Sequence, residues 1–348
     1  MTDEILADFR SDTVTLPTEA MIRSIETAPL GDDSRDGDPT VERLESMAAE
    51  MTGKEAGLLV SSGTMGNLLA LMAHGDRGGE VLVDDRAHML NSEMGGIAGI
   101  AGLMYRPIRS AAGMMDLKVL RRELKSSLAP KHLKTSILWM ENTHNSCGGV
   151  ALSVDYMSEV AAFARSVNAA VHLDGARLFN AAIALGVSAA ELAAHADSVM
   201  FCLSKGLSAP IGSLLVGSEA FVVRARALRR MIGGNLRQGG VIAAPGICAL
   251  ETMVERLEED HRTARQLALG FAAINPSFVD LDTVQTNMVL FDVGDPEDLP
   301  VWQEKFKEQG ILVLPSGPQH LRFMTHRHIT LEIVEEALER LRKITPGR

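Results

Sequence analysis

A lysine stands where a short apolar run of the chain ends. Val199 to Leu203 has the composition of a buried strand, and it is followed by Ser204-Lys205-Gly206. Because lysine is strongly hydrated, burying one at the end of a core strand is costly unless the amine has a use. Desolvation favours the neutral amine, which can form a Schiff base with an aldehyde. Taken alone, the stretch fits a solvated Lys-Gly turn better.

An aspartate ends a second short apolar run, upstream of that lysine. Ala169 to Leu173 also has the composition of a buried strand, and Asp174-Gly175-Ala176-Arg177 follows it. The chemistry of pyridoxal phosphate (PLP) needs such a pair, since a lysine holds the aldehyde carbon and an aspartate keeps the pyridine nitrogen protonated. The ordered pair of Asp174 and Lys205 therefore indicates a PLP site, which neither residue indicates by itself.

The composition argues against nucleic acid and anionic membranes as partners. The chain has 348 residues, 46% of them hydrophobic, which is enough for a large core and more than one domain. Its formal net charge of -11 gives no electrostatic reason to expect nucleic acid or an anionic membrane as a partner. A small molecule is the expected partner.

Cysteine spacing and the N-terminus bear on metal sites and location. The three cysteines have no CxxC or Cys/His spacing, so neither disulfides nor a zinc site are indicated, and we expect no metal. The N-terminus lacks the basic and apolar regions of a signal peptide, and no apolar run approaches the ~20 residues of a spanning helix. We expect a cytoplasmic protein.

Strand-like and helical segments alternate along most of the chain. This order favours a mainly parallel sheet covered by helices on both faces. Ligands of such sheets bind at the carboxyl ends of the strands, so polar groups that follow different strands can share one crevice. The groups in question are Ser62 to Thr64, His88, Glu141 to His144, Asp174 to Arg177 and Lys205.

A glycine turn after the strand Gly57 to Val60 opens a helix. The turn, Ser62-Gly63-Thr64, points backbone N–H groups and a positive dipole end at an anion. An ordinary capped loop is the alternative interpretation. The turn is neither a Walker loop nor a GxGxxG fingerprint, so ATP and NAD gain no support. Arg237, in a glycine-flanked turn, is a second candidate anion ligand.

The C-terminal third has a different organisation. A long helix from about Val241 to Ile274 is expected to lead into a smaller α+β domain. We predict a large domain over residues 1–245, including an N-terminal arm, and a small domain over residues 246–348.

Many segments together resemble the PLP-dependent L-threonine aldolase family of fold type I, within the β-eliminating lyase group. The matching segments, which span nearly all of the chain, are Arg10-Ser11-Asp12-Thr13-Val14-Thr15, Gly31-Asp32-Asp33, Asp38-Pro39-Thr40-Val41, Ser62-Gly63-Thr64-Met65-Gly66-Asn67, Glu141-Asn142-Thr143-His144-Asn145, His172-Leu173-Asp174-Gly175-Ala176-Arg177-Leu178-Phe179-Asn180, Cys202-Leu203-Ser204-Lys205-Gly206-Leu207, and Leu321-Arg322 ahead of Thr325-His326. So many segments in one order make chance similarity very improbable.

The resemblance implies a fold and a set of roles. The fold is an aspartate-aminotransferase-like large domain with a mainly parallel seven-stranded sheet, plus the smaller C-terminal α+β domain. Lys205 would bind the cofactor aldehyde and Asp174 would pair with the pyridinium nitrogen. The remaining implied roles are phosphate binding by Ser62, Gly63, Thr64 and Arg237, ring stacking by His88, substrate-carboxylate binding by Ser11, Arg177 and Arg322, and a place near the substrate hydroxyl for His144.

The implied reaction is retro-aldol cleavage of β-hydroxy-α-amino acids to glycine and an aldehyde, with low specificity. The proton of the β-hydroxyl goes to His144, His88 or an ordered water. Arginine suits the substrate carboxylate because its planar fork binds both oxygens. The resemblance also suggests a homotetramer, a dimer of dimers.

Two positions depart from the family. Where the family usually has Asp-Asp-Val-Tyr-Gly, this chain has Asp32-Asp33-Ser34-Arg35-Asp36-Gly37, and Ser92 replaces a common tyrosine. One hypothesis is that Arg35 and the space at Ser92 favour larger or anionic β-substituents, such as a 3-hydroxyaspartate-like acid. The alternative is that Arg35 faces solvent or pairs with Asp36.

Two other functions compete with aldol cleavage. PLP-dependent β-elimination, by a dehydratase or ammonia-lyase, or racemisation uses the same ring, and the bond aligned with the ring decides the outcome. A nucleotide-binding oxidoreductase or a non-catalytic scaffold is the second alternative. The absence of GxGxxG and the presence of Asp174 and Lys205 argue against it.

Overall fold

The protein is described by a computed structural model that covers residues 5–126 and 131–345. The strands, in chain order, are β1 (Ala7–Asp8), β2 (Ala56–Val60), β3 (Glu80–Asp84), β4 (Met104–Ile108), β5 (Ser110–Ala111), β6 (Met114–Met115), β7 (Thr135–Glu141), β8 (Ala170–Asp174), β9 (Ser198–Cys202), β10 (Ser213–Gly217), β11 (Met288–Asp292), β12 (Ile311–Leu312), β13 (Leu314–Pro315) and β14 (His320–Met324). The α-helices are α1 (Glu19–Thr27), α2 (Pro39–Thr52), α3 (Gly63–His74), α4 (His88–Asn91), α5 (Gly96–Gly99), α6 (Leu117–Ser126), α7 (Val154–Ser166), α8 (Leu178–Leu185), α9 (Ala189–Ala193), α10 (Glu219–Met231), α11 (Gly240–Thr252), α12 (Leu257–Ile274), α13 (Leu299–Glu308) and α14 (Leu331–Ile344).

A seven-stranded sheet organises the large domain, in the order β2-β10-β9-β8-β7-β3-β4. Strand β10 runs antiparallel to β2 and β9, and the other neighbours run parallel. The mainly parallel seven-stranded sheet expected from the sequence is confirmed. Because β3, β7, β8 and β9 are parallel, their carboxyl ends lie along one edge of the sheet, where ligands of such sheets bind.

Helix α3 packs closely against this sheet and begins at its ligand-binding edge. Ser62 caps the helix by accepting a hydrogen bond from the backbone N–H of Met65 at 3.1 Å. A Cβ at Gly66 would lie 2.7 Å from Cγ of Met200 on β9, so the close approach of helix and strand requires glycine there. The turn before α3 is thereby held against β9, the strand that precedes Lys205.

The smaller C-terminal domain is built on a second sheet, of order β11-β14-β13, whose pairings are antiparallel. Its core includes Phe271, Phe291 and Phe323, and the N-terminal Phe9 is buried in the same cluster. Strand β1 pairs with β12 in parallel, so the start of the chain belongs structurally to this domain. The expected second α+β domain is confirmed, while the division after residue 245 stays a prediction.

The prediction of one helix from Val241 to Ile274 is wrong. Helix α11 ends at Thr252, a turn occupies residues 253–256, and α12 begins at Leu257. The two halves pack on different elements, since α11 contacts α1 and α2 whereas α12 contacts α8 and α14. Tertiary packing therefore overrides the local helical pattern at the turn. Among the residues that the structure covers, no helix is both long and apolar enough to cross a bilayer.

Candidate active site

A cavity of about 350 Å³ opens at the ligand-binding edge of the sheet and brings together most of the predicted site residues. Those that line it are Ser11, Ser62, Gly63, Thr64, His88, Ser92, Asp174, Arg177, Lys205 and Arg322. Arg35, His144 and Arg237 do not line it. Further residues in its wall had no predicted role, among them Asn67, Glu93, Glu141 and Asn145.

Lys205 and Asp174 reach the cavity from the ends of neighbouring strands. Lys205 follows β9 in a turn closed by the N–H of Ser208, which donates to the Lys205 carbonyl at 2.8 Å. Asp174 ends β8 and is 2% exposed. Its Oδ1 accepts a hydrogen bond from the Ala176 backbone at 3.1 Å, and its Oδ2 accepts one from Asn67 Nδ2 at 2.8 Å. A free amine and a buried, tightly held carboxylate therefore face one space.

The turn before α3 forms another wall. Gly63 and Thr64 line the cavity, and their backbone N–H groups have no hydrogen-bond partner among residues 5–126 and 131–345. A Cβ at Gly63 would lie 2.9 Å from Sγ of Cys202, so glycine is required for the turn to sit this close to β9. Free N–H groups at the start of a twelve-residue helix form a site for an anion such as phosphate.

His88 and Asp174 are linked through two residues that had no predicted role. Glu93 Oε1 lies 2.9 Å from His88 Nδ1 and accepts a hydrogen bond from Asn67 Nδ2 at 2.8 Å. The same Asn67 nitrogen donates to Asp174. The hydrogen bond to Glu93 raises the pKa of His88, and the Asp174 and Glu141 carboxylates add to this against the opposing effect of burial. The Nε2 atom of His88 has no partner in the described part of the chain.

His88, Glu93 and Asp174 also offer ligand atoms within 4.8 Å of one another, a spacing that suits a cation. The Asn67 amide, however, already donates a hydrogen bond to each of the two carboxylates. These bonds account for the close approach of the two acidic groups without a metal ion.

Glu141 at the end of β7 holds two backbone segments of the cavity wall. Its Oε2 accepts from the His88 N–H at 2.7 Å, and its Oε1 accepts from the Asn145 N–H at 2.8 Å. Burial and the neighbouring Asp174 charge raise the pKa of Glu141. This carboxylate fixes the start of α4, at His88, relative to the loop that carries Asn145.

Arg177 is largely engaged by a residue of the N-terminal arm. Its Nε and Nη2 atoms donate to the two carboxylate oxygens of Asp12, each at 2.7 Å, and both side chains are buried. Burial opposes the Asp12 charge, but the Arg177 guanidinium overcomes it and holds the pKa of Asp12 well below its ordinary value. Only the Nη1 edge, 3.4 Å from Asn145 Oδ1, leaves room for a substrate contact.

Arg322 has an unused donor. Its Nη1 donates to Asn145 Oδ1 at 3.0 Å and its Nη2 to the Arg10 carbonyl at 3.1 Å, while its buried Nε has no partner in the part of the chain described. Burial first, and then the nearby Arg177 charge, lower the pKa of Arg322 to about 10. A desolvated guanidinium with a free N–H, next to a second arginine, is a site for a carboxylate.

His144 lies behind the cavity wall, although its neighbours Thr143 and Asn145 reach the cavity. It is fully buried, and its Nε2 lies 3.0 Å from Asp84 Oδ1. Burial disfavours the charged ring, but the bond to Asp84 and nearby acidic groups raise the pKa of His144 to about 10. The structure thus places His144 in an ion pair with Asp84 and not at the cavity surface.

Arg35 and Arg237 lie together on the protein surface. Arg35 is 75% exposed and approaches Asp32 at 3.8 Å, not Asp36. Arg237 is 65% exposed, contacts Asp32 at 3.5 Å and donates to the Ser34 hydroxyl. Both arginines belong to one surface cluster outside the cavity of their own chain.

The residues that had no predicted role stand close in sequence to residues that had one. Asn67 ends the segment that begins with Ser62, Asp12 follows Ser11, and Glu141 opens the segment that contains His144. The position of Asp12 directly after the predicted ligand Ser11 was an available signal for it. No sequence signal pairs Asn67 with Asp174 across 107 positions.

The cavity fits PLP. Lys205 supplies the amine, Asp174 a buried carboxylate for the pyridine nitrogen, and the free N–H groups of Gly63 and Thr64 a phosphate site. The unpartnered Nε of Arg322 matches the additional carboxylate of an amino-acid substrate.

Comparison with known proteins shows the family of the chain. The beta-eliminating lyase family model matches residues 8–293. A probable low-specificity L-threonine aldolase 2 of Arabidopsis thaliana is 40% identical over 344 residues, covering 97% of this chain and 96% of that protein. The low specificity L-threonine aldolase of Escherichia coli K12 is 39% identical over 332 residues, covering 95% and 97%.

A solved structure has the same fold. The threonine aldolase of Leishmania major aligns with a TM-score of 0.80 at 16% identity, covering 96% of this chain and 99% of that one. This likeness shows that the chain has the fold type I architecture of PLP enzymes. From the family match and the two relatives, we conclude that the chain belongs to the beta-eliminating lyase family.

Proposed function

We propose that this chain is a PLP-dependent carbon–carbon lyase that cleaves β-hydroxy-α-amino acids of the L-threonine type to glycine and an aldehyde. The observation that carries the proposal is that Lys205, Asp174 and Arg322 line one cavity. An amine, a buried carboxylate and a carboxylate-binding arginine are the groups that PLP-dependent amino-acid chemistry requires. The names of the Arabidopsis and Escherichia coli relatives agree with this reaction.

The residues of the chain divide between cofactor and substrate. Lys205 would bind the cofactor aldehyde, Asp174 would keep a proton at the pyridine nitrogen, and the N–H groups of Gly63 and Thr64 would hold the phosphate. When bound, PLP supplies an electron sink for the electron pair of the broken Cα–Cβ bond. The imidazole of His88, which lines the cavity, would pack against the cofactor ring.

The substrate carboxylate binds at Arg322, through the guanidinium Nε that has no protein partner. Ser11 adds a hydroxyl, and Arg177 adds only its Nη1 edge because Asp12 occupies the rest of its fork. By holding the carboxylate, Arg322 would orient the substrate at Cα and so select which of its bonds breaks.

His88 is the side chain that we assign to the β-hydroxyl proton. Its Nδ1 is paired with Glu93, while its Nε2 is free at the cavity. His144 has no such access because it is buried against Asp84. With Nδ1–H donated to the Glu93 carboxylate, Nε2 carries a lone pair and can accept a proton.

The decisive experiment measures the products. Purified holoenzyme is supplied with L-threonine, L-allo-threonine, phenylserine and 3-hydroxyaspartate, and glycine and aldehyde are quantified. Equal amounts of glycine and aldehyde are expected. A keto acid plus ammonia would identify β-elimination, and inversion at Cα without cleavage would identify racemisation; either result would refute the proposal.

Two further proposals concern the assembly and cellular location of the protein and the role of its surface arginines. We infer a homotetramer in the cytoplasm, and the surface cluster of Arg35 and Arg237 faces the site of a neighbouring copy. There Arg237 would supply positive charge to the phosphate, and Arg35 with Ser92 would favour anionic substrates. Light scattering tests the assembly, and Arg35→Ala tests the preference: equal relative turnover of 3-hydroxyaspartate and threonine before and after the substitution contradicts it.

A further inference from the structure

A chain of buried hydrogen bonds runs from Asp174 along one face of the sheet, between the sheet and α3. Asn67 Oδ1 lies 3.3 Å from His172 Nε2, His172 Nδ1 lies 2.7 Å from Ser198 Oγ, and Ser198 Oγ lies 2.8 Å from His74 Nε2. Asn67, His172 and Ser198 are at most 1% exposed. Of these four residues, only Asn67 reaches the cavity.

The backbone places these side chains in line. His172 and Asp174 point to the same face of β8 because side chains alternate along a strand. Ser198 is the register partner of His172 on β9. Asn67 and His74 are seven residues apart in α3, which puts them on one helix face. The chain of bonds thus fills the contact between α3 and the centre of the sheet.

The two carboxylates fix the direction of every bond. Both hydrogens of Asn67 Nδ2 go to Glu93 and Asp174, so Asn67 Oδ1 must accept. His172 therefore carries its proton on Nε2 and accepts at Nδ1 from the Ser198 hydroxyl. Ser198 in turn accepts from His74 Nε2–H. Each hydrogen atom of this chain therefore has only one possible position. A flip that exchanges the oxygen and nitrogen of the Asn67 amide would break the chain of hydrogen bonds.

Burial keeps the histidines neutral, as this arrangement requires. Desolvation, with the neighbouring His74, puts the pKa of His172 well below its ordinary value. Desolvation likewise lowers the pKa of His74 to about 4, against the attraction of Asp197. Replacing such a polar series by apolar side chains of similar shape costs a fold little. Its presence beside Asp174 therefore points to a role at the site.

We propose that Asn67, His172 and Ser198 are positioning residues that hold the Asp174 carboxylate in the orientation needed to grip the pyridine nitrogen of PLP. His172 and Ser198 act through Asn67 without touching the cofactor. The inference rests on the proposed role of Asp174, and it does not depend on which amino acid the enzyme cleaves.

The test compares paired variants of the full-length protein by titrating resolved protein with PLP and following absorbance. His172→Leu is expected to bind PLP about tenfold more weakly, as the loss of a bond that orients a charged group predicts. His172→Gln keeps an N–H donor near the Nε2 position, and rescue to within about twofold is expected. Substrate kcat should fall with affinity while KM stays unchanged, because Arg322 is untouched.

A double-mutant cycle separates positioning from general destabilisation. Because His172 acts through Asn67, the pair Asn67→Leu and His172→Leu should bind PLP no more weakly than Asn67→Leu alone. Additive losses would overturn the proposal, and so would wild-type affinity in His172→Leu.

Ser198→Ala and Ser213→Ala provide matched variants that disturb packing least. Both serines are fully buried on adjacent strands, but the Ser213 hydroxyl has no partner within residues 5–126 and 131–345. We expect PLP affinity to fall about threefold in Ser198→Ala, the loss of an ordinary hydrogen bond, and to stay unchanged in Ser213→Ala. Equal affinities in the two variants would contradict the proposal even if the leucine variants do not fold.

If PLP affinity follows the proposal while no aldehyde is released from any substrate, the positioning role stands and the aldolase reaction fails.

Discussion

The neighbours of Asp174 fix the orientation of its carboxylate. One oxygen is held by the backbone of Ala176 and the other by Asn67, so the carboxylate has little freedom in the cavity. Lys205, by contrast, makes no side-chain hydrogen bond or ion pair in the described residues, and its amine is free to react. The fixed acid and the free amine suit opposite ends of one cofactor.

Lys205→Ala should remove the covalent attachment of PLP. We expect turnover to fall by at least about 1000-fold, because no other amine of the cavity can replace the lysine. Borohydride treatment followed by mass spectrometry checks the assignment. The wild-type chain should gain the mass of the reduced cofactor, and a comparable gain in Lys205→Ala would place the attachment elsewhere.

The pH dependence of turnover should report His88. Its raised pKa keeps the imidazole protonated to higher pH, and only the neutral ring accepts a proton. Turnover should therefore increase with pH, with a midpoint above the ordinary histidine value of about 6.5. Glu93→Gln removes the negative charge and leaves a weaker, neutral acceptor for His88 Nδ1–H, so this pKa should fall and the midpoint should move to lower pH. An unmoved midpoint would exclude His88 as the titrating base.

Arg322→Leu should weaken substrate binding without weakening cofactor binding. The loss of charge-assisted hydrogen bonds predicts a rise in KM of roughly 10- to 100-fold. Arg340→Leu is the control, since Arg340 pairs with Glu336 outside the cavity of the same domain. Similar KM values for the two variants would remove the substrate carboxylate from Arg322.

At the scale of elements, the start of α3 can pack closely against β9 because Gly63 has no side chain. A methyl group at Gly63 would lie 2.9 Å from Cys202 Sγ and 3.1 Å from Met200 Cε. Gly63→Ala should push the turn off β9 and weaken PLP binding by about tenfold, the loss of a charge-assisted bond to phosphate. Gly99→Ala in α5 meets no atom within 4 Å and should bind PLP normally. Absorbance titration with PLP measures both, and equal affinities would contradict the phosphate site.

Residues at the ends of strands and helices could be predicted from the sequence, whereas contacts between distant parts of the chain could not. Lys205, Asp174 and Gly63 were foreseeable because each stands where a strand or helix begins or ends, which local pattern reveals. The Asp12–Arg177 and Asn67–Asp174 contacts were not, since they join side chains 165 and 107 positions apart. The place of His144 depends on Asp84, another strand away, and the break between α11 and α12 depends on packing against four other helices.

At the scale of the whole molecule, Asp12 joins the two domains. Its carboxylate accepts hydrogen bonds from Nε and Nη2 of Arg177 in the large domain. It also accepts a 3.3 Å hydrogen bond from Asn287, which lies beside β11 of the small domain. Residues that precede Asp12 pack with the small domain through β1 and Phe9. The buried pair thus holds the arm across the cavity.

Asp12→Asn should destabilise the protein by ~3–5 kcal/mol, because Arg177 would keep its charge while buried without its partner. Since the pKa of Asp12 is lowered on folding, the pair contributes its full stability above the unfolded value of about 3.9 and loses it as pH falls toward the folded value. Urea unfolding at several pH values measures this difference between wild type and variant. Glu336→Gln, which breaks an exposed pair, should cost less than about 1 kcal/mol at every pH. A similar cost for Asp12→Asn would contradict the role of the pair.

The contact between Arg322 Nη2 and the Arg10 carbonyl has a consequence for protein synthesis. Ser11 is synthesised long before Arg322, yet both border the same cavity. A nascent chain therefore contains the proposed lysine and aspartate of the cofactor site long before it contains the arginine proposed for the substrate carboxylate. Capture of a free amino acid would then have to wait until the segment that carries Arg322 has been synthesised.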